Sequence, residues 1–259
     1  MHGRRLQPFG VALHPIPLAQ VDGRVIEALA ALVAMEGVLV MPGQGLDDHA
    51  FRDFLSRLGR LVFTTGETPV EGCEDLNVVT NMGRERPPRS VFHTDSSYFT
   101  MPPSHTALRA VEVPASGGET LFTNQYVAWR SLPAPLRARL GPARMRHRVS
   151  GLNLGDGDEK EAVHPLVRRH PRTGMPALYL STPERCTLLD DDGRAVEDPR
   201  LVSALYRWST RRQNILRHTW RAGDVVLWDN RCTMHRADHS AVSGARTFHR
   251  GMVRDHLPV

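Results

Sequence analysis

Val225-Val226-Leu227-Trp228-Asp229-Asn230-Arg231-Cys232-Thr233-Met234-His235 is the most informative stretch of this chain. Its first four residues are apolar, and two are β-branched, so they read as a buried strand. The polar residues that follow read as a loop that presents His235. A histidine there is either a hydrogen-bonded core residue or a metal ligand, and His239 is a nearby rival. Upstream, a turn at Ala222-Gly223-Asp224 separates this strand from another over residues 216–221. Downstream, residues 247–253 are again extended. Strands joined by such short turns have antiparallel character.

The period of two extends back to about residue 76. Residues 76–80, 106–113 and 118–122 read as strands, with Ala107, Arg109, Val111 and Val113 on one face. Residues 165–168 and 177–180 flank His170-Pro171-Arg172-Thr173-Gly174 as a hairpin. Helical intervals interrupt this pattern over residues 125–140 and after Pro199. The N-terminal third differs. Val25, Ile26, Leu29, Leu32 and Val33 recur at helical spacing, and Gly37 ends that helix before a strand at 38–41. Asp47 or Asp48 caps a second helix with Phe51, Phe54, Leu55 and Leu58 on its apolar face, and Gly59 terminates it. Two helices followed by many strands predict a mainly β fold with added helices, a sandwich or barrel. No repeat or Gly/Ser linker divides the chain, so residues 1–259 are expected to form one domain. Residues 151–163 are polar and cannot build a core; the expectation is a surface loop, and in its functional version a mobile lid.

Composition excludes several classes. A hydrophobic fraction of 41% with 24% charged residues is that of a globular protein. No apolar run reaches the roughly 18 residues needed to span a bilayer, and residues 1–6 lack the apolar run of a signal peptide, so a cytoplasmic protein without a membrane partner is expected. Cys73, Cys186 and Cys232 are widely spaced and form no paired motif, which argues for reduced thiols and against a zinc-thiolate site. The net charge of +5 raises a nucleic-acid reading. Acidic residues interleave with the arginines, however, and no basic cluster with aromatics occurs, so no nucleic-acid partner is expected.

Three features could carry chemistry. In His93-Thr94-Asp95, positions i and i+2 of an extended strand point the same way, so an imidazole and a carboxylate could reach one metal. With His235 they make two histidines and one carboxylate, the facial set of non-haem Fe(II) oxygenases. In Arg246-Thr247-Phe248-His249-Arg250, both arginines and Phe248 share a face. Facing outward, the arginines would be ordinary; facing inward, each needs an anion.

Taken together, the chain resembles the TauD/TfdA family of Fe(II)- and 2-oxoglutarate-dependent oxygenases. Phe92-His93-Thr94-Asp95, Met101-Pro102-Pro103, Pro114-Ala115-Ser116-Gly117-Gly118-Glu119-Thr120-Leu121-Phe122, His164-Pro165-Leu166-Val167-Arg168, Trp228 to His235 and Arg246 to Arg250 carry the resemblance. It implies a distorted double-stranded β-helix, or jelly roll. It implies that His93, Asp95 and His235 bind iron, that Thr120 and Arg246 hold the distal carboxylate of 2-oxoglutarate, and that Trp228 lines the same pocket. Arg246 and Arg250 would then face inward, with Arg250 on a substrate anion. The co-substrates are 2-oxoglutarate and O2, and oxidation of a small molecule is coupled to formation of succinate and carbon dioxide. An intact Asp95 argues for hydroxylation-type chemistry rather than halogenation. Desaturation, epoxidation or other tailoring of a natural-product or amino-acid intermediate is the alternative outcome. A non-enzymatic jelly-roll binding protein is disfavoured by the complete ligand set, and homo-oligomers are common in the family.

The departures concern substrate. Thr64 and Arg89 stand near positions where taurine-acting members have a histidine and an asparagine. Ser96, Ser97 and Tyr98 are more polar than the residues expected after the His-x-Asp motif. Taurine is therefore disfavoured, and Arg250 with Arg89 suits an anionic or zwitterionic substrate contacted also by Thr64 and Tyr98.

Overall fold

A computed structural model describes residues 2–14, 16–83, 90–151, 154–190, 192–196 and 198–257. Helix α1 (Gly23–Glu36) begins where the Asp22 side chain accepts from the Val25 amide at 2.9 Å. It ends at Gly37, whose φ of 79° lets its N–H reach the Val33 carbonyl. Helix α2 (Asp48–Leu58) is capped by Asp47, which accepts from the Ala50 amide at 2.8 Å. Both helices press one apolar face onto a large sheet.

Among the described residues that sheet has nine strands. Their order is Gly3–Arg5, Val11–Leu13, Val38–Met41, Val225–Asp229, His105–Glu112, Thr247–Arg254, Cys73–Thr80 and Pro69–Val70, with Arg60–Leu61 paired to Thr247–Arg254. Pairing is antiparallel except between Val11–Leu13 and Val38–Met41. The period of two sorts the central strands. Leu39, Met41, Val225 and Leu227 meet Leu29, Val33, Phe51 and Phe54 of the two helices. Val38, Val40, Val226 and Trp228 point the other way, toward Phe122 and Leu216 of a three-stranded sheet. That small sheet is ordered Ile215–His218, Thr120–Asn124, Thr233–Ala237. Each such buried side chain contributes about 1.5–3 kcal/mol, so the central strands hold both layers.

A third apolar cluster joins helices α3 (Gln125–Arg130), α4 (Ala134–Leu140) and α5 (Pro199–Ser209) to the sheet Glu161–Pro165, Arg144–Arg148, Cys186–Leu189 through Leu132, Leu140, Met145, Leu188 and Leu205. The fold is thus mostly β with added helices. Among the described residues, no helix is long and apolar enough to cross a membrane.

Away from the site, two segments depart most from the sequence expectation. The strand read over 118–122 begins only at Thr120, because Gly117 and Gly118 take φ of 71° and 75°. Residues 161–163, read as part of the polar loop, lie in the strand Glu161–Pro165 paired with Arg144–Arg148. There Ala162 and His164 alternate inward, while Glu161 stays out and pairs with Arg148 at 2.8 Å.

The crossing from the large sheet to the small one is an ionic knot. Asp229 is fully buried and ends the strand Val225–Asp229. Its carboxylate accepts from Arg231 at 2.7 and 3.0 Å and from His170 at 2.9 Å, and lies 3.3 Å from His105 Nε2. Arg231 also pairs with Asp255 at 2.9 Å. Burial opposes ionisation of Asp229, but the Arg231 charge and the histidine contacts outweigh it and hold its pKa well below the usual range. Asp229→Ala leaves the buried Arg231 guanidinium with Asp255 as its one carboxylate and removes the acceptor of His170, and is expected to cost about 2–4 kcal/mol. Urea unfolding should show a lowered midpoint at unchanged slope.

Candidate metal centre and its cavities

The knot sets the register of Thr233–Ala237 on Thr120–Asn124, which places His235 opposite Phe122. The other edge of His235 meets His93 in an isolated antiparallel bridge: each amide donates to the other's carbonyl, at 3.0 and 2.9 Å. The His-x-Asp motif is therefore not a full strand. It makes this one bridge and then turns at Ser96, whose φ of 43° is the one positive value among described non-glycine residues. The Thr94 hydroxyl anchors the turn by donating to the Leu180 carbonyl at 2.7 Å.

Three ligand atoms, one each from His93, Asp95 and His235, lie within 4.8 Å of one another. Among the described residues this is the one such group. His93 Nε2 is 3.5 Å from Asp95 Oδ1, and His235 Nε2 is 3.9 Å from Asp95 Oδ2. His93 Nδ1 donates to the Val91 carbonyl at 3.0 Å, which leaves Nε2 as the nitrogen that offers a lone pair. Burial pushes the His235 pKa down to about 3, so its imidazole is neutral. Burial works against ionised Asp95, yet the surrounding His235, His93 and Arg250 hold it well below the usual carboxylate range. Two imidazoles and one carboxylate suit a divalent first-row metal such as Fe(II).

The carboxylate is aimed by residues that sequence reading missed. Thr106 donates its hydroxyl to Asp95 Oδ2 at 2.8 Å. Asn230 donates to the Thr106 oxygen at 2.8 Å and accepts from the Trp228 indole at 3.0 Å. The chain Trp228, Asn230, Thr106, Asp95 thus links the central strands to the site. No spacing in the sequence announces it, because its members come from three separated segments.

Two cavities meet here, and His93 and Arg250 line both. The smaller, about 150 Å³, also touches His235, Trp228, Thr120 and Arg246. Arg246 is 1% exposed, and burial lowers its pKa to about 10. Its Nε donates to the Gly118 carbonyl at 2.9 Å, and an NH2 proton reaches the Thr120 hydroxyl at 3.4 Å. A buried guanidinium held by neutral oxygens is ready for an anion. The larger cavity, about 540 Å³, is lined among others by Thr64, Glu67, Tyr98, Arg148, Arg185 and Arg250. Arg250 therefore faces inward with Arg246 and the fully buried Phe248. Thr64 and Tyr98 line this cavity, whereas Arg89 lies outside the described residues. Glu67 was not singled out from the sequence.

Relatives agree with this architecture. The chain matches the family described as "Taurine catabolism dioxygenase TauD, TfdA family" over residues 2–252. It is 30% identical to the alpha-ketoglutarate-dependent sulfate ester dioxygenase of Pseudomonas putida, over 96% of this chain and 86% of that protein. It is 31% identical to pentalenolactone F synthase of Streptomyces arenae, over 88% of this chain and 86% of that protein. A solved taurine dioxygenase structure from Burkholderia xenovorans aligns with a TM-score of 0.85 at 28% identity, covering 100% of this chain and 92% of that one. This chain belongs to the TauD/TfdA family of dioxygenases, and it is an enzyme.

Behind the turn at Ser96 sit two buried histidines. His147 Nδ1 meets the Ser97 hydroxyl at 3.0 Å, and His164 Nε2 meets the Ser97 and Phe99 carbonyls. Burial lowers their pKa values to about 3 and about 4. Both sit near 6.5 in the unfolded chain, so between pH 6.5 and about 4 the unfolded state binds more protons than the folded one. Stability should therefore be level above pH 6.5 and fall as pH drops through that window. From these two histidines alone, urea titrations at pH 7 and pH 5 are expected to differ by about 4 kcal/mol, and replacing both with glutamine should reduce the difference to the part that His235 contributes.

Proposed function

We propose that the protein is an Fe(II)- and 2-oxoglutarate-dependent oxygenase that oxidises a C–H bond of a small organic acid, anionic or zwitterionic. The observation that carries this is the shared small cavity, which touches two histidines of the ligand set and also Arg246 and Thr120. In this reading His93, Asp95 and His235 hold the metal. Arg246 and the Thr120 hydroxyl receive the distal carboxylate of 2-oxoglutarate, and the Trp228 ring walls the cavity. Arg246 is oriented for this before ligand arrives, because the Gly118 carbonyl fixes its Nε. Iron, when bound with 2-oxoglutarate and O2, supplies the oxidant that removes hydrogen from the substrate, with succinate and carbon dioxide as products. Thr106 keeps Asp95 aimed, and the buried Trp228 and Phe122 exclude water around His235. Arg250, beside Asp95, offers the substrate's acid group a partner next to the reacting centre.

The two facing sheets, with His93 bridged to His235 between them, fit a distorted double-stranded β-helix. We read the stretch before Glu161 as a segment able to cover the large cavity, since Gly151 and Ser150 line it. A reducing cytosol suits three buried, unpaired cysteines.

Without oxygen, Fe(II) and 2-oxoglutarate should give the protein a weak visible charge-transfer band. Its survival in a His93→Ala, Asp95→Ala double variant would show the ligands to be wrongly assigned. Arg246→Ala removes charge-assisted hydrogen bonds to the co-substrate and should raise the 2-oxoglutarate requirement roughly 10- to 100-fold. Titrating the band with 2-oxoglutarate measures this directly, and an unchanged midpoint would remove Arg246 from the role.

A further inference from the structure

The large cavity carries a charge arrangement that the reading above does not use. Glu67 Oε1 lies 3.2 Å from an Arg250 NH2 nitrogen. The pair is partly withdrawn from water, with side chains 29% and 14% exposed. Glu67 stands in a tight turn: its amide donates to the Thr64 carbonyl at 3.2 Å, and Gly66 before it takes a φ of 87°. The backbone thus sets the carboxylate in the cavity wall. Arg250 also lies 3.7 Å from Asp95 Oδ1. With Asp95 committed to a metal, Glu67 is the carboxylate left to balance Arg250. At the rim Arg148 pairs with Glu161 at 2.8 Å, and Arg185 is held by the neutral Ser150 hydroxyl at 2.7 Å. Carboxylates thus stand beside two of the cavity's arginines, Arg250 and Arg148.

An anion that took the NH2 nitrogen of Arg250 now facing Glu67 would separate this pair. It would leave the half-buried Glu67 carboxylate without its cation, which is unfavourable. A ligand bearing both charges avoids that cost. Its acid group takes Arg250, its cationic nitrogen takes Glu67, and each protein charge exchanges one partner for another. We propose that Glu67 and Arg250 together recognise the substrate, and that the substrate is a zwitterion, an acid that carries an ammonium group. The proposal rests on the oxygenase reading and narrows it. Glu67 then sets specificity, rejecting simple acids of the same shape by leaving its own charge unpaired.

Matched pairs of probes test this: 2-aminopentanoate and 5-aminopentanoate against pentanoate, and 3-aminopropanesulfonate against propanesulfonate. Calorimetric titration would use enzyme loaded with Fe(II) and 2-oxoglutarate without oxygen. At least one amino member should bind ~10-fold or more tightly than its counterpart. Glu67→Gln should erase that ratio by weakening the amino member and strengthening the plain acid, while Glu67→Asp retains part of it. The proposal is overturned if the wild type binds the plain acids as well or better, or if no amino member binds. It is also overturned if Glu67→Gln shifts both members by one factor, the mark of a residue that only positions Arg250. The charge-transfer band and a repeat on metal-free protein separate this from the parent reading. An amino preference without the band leaves zwitterion recognition and removes the oxygenase; a band without the preference does the reverse.

Discussion

A single buried carboxylate governs the geometry of this molecule. Asp229 sits at the end of the central strand, without solvent, and is ionised. An isolated charge there would be prohibitive, so the chain must bring Arg231 back over it and dock His170 beside it. That obligation shapes the turn from large sheet to small. The turn sets the register of Thr233–Ala237, the register sets His235, and the bridge to His93 completes the pair. Placement of two candidate ligands thus descends from one electrostatic debt at a site distinct from the metal centre.

The two inward arginines of the last strand show how environment divides like residues. Arg246 and Arg250 are four positions apart on one face, yet their surroundings differ. Arg246 is sealed among neutral oxygens and its charge is unbalanced by burial. Arg250 faces Glu67 and Asp95. The first suits an anion that arrives with no cation of its own, which is what a dicarboxylate offers. The second suits a ligand that brings both signs.

Much of the scaffold was legible in local pattern. Helices α1 and α2, with their aspartate caps, follow from three- and four-residue spacing, because each buries one stripe against the sheet. The strands Val38–Met41 and Val225–Asp229 follow from apolar runs buried on both faces. Local pattern misled where the backbone leaves the regular regions. Gly117 and Gly118 delay a strand, Ser96 breaks one, and Ala162 with His164 turns a polar stretch into sheet.

The sequence by itself determined the inventory: which histidines, carboxylate and arginines were available, in what order, and the family motif that names their roles. That information is local or survives as spacing. It left undecided whether Arg246 and Arg250 point inward, apart from what the resemblance implied. Tertiary structure decided that, and also the Thr106 and Asn230 support of Asp95 and the pairing of Glu67 with Arg250. Those contacts join residues far apart in the chain. Their energies depend on burial, which exists only once the sheets and helices have closed around them.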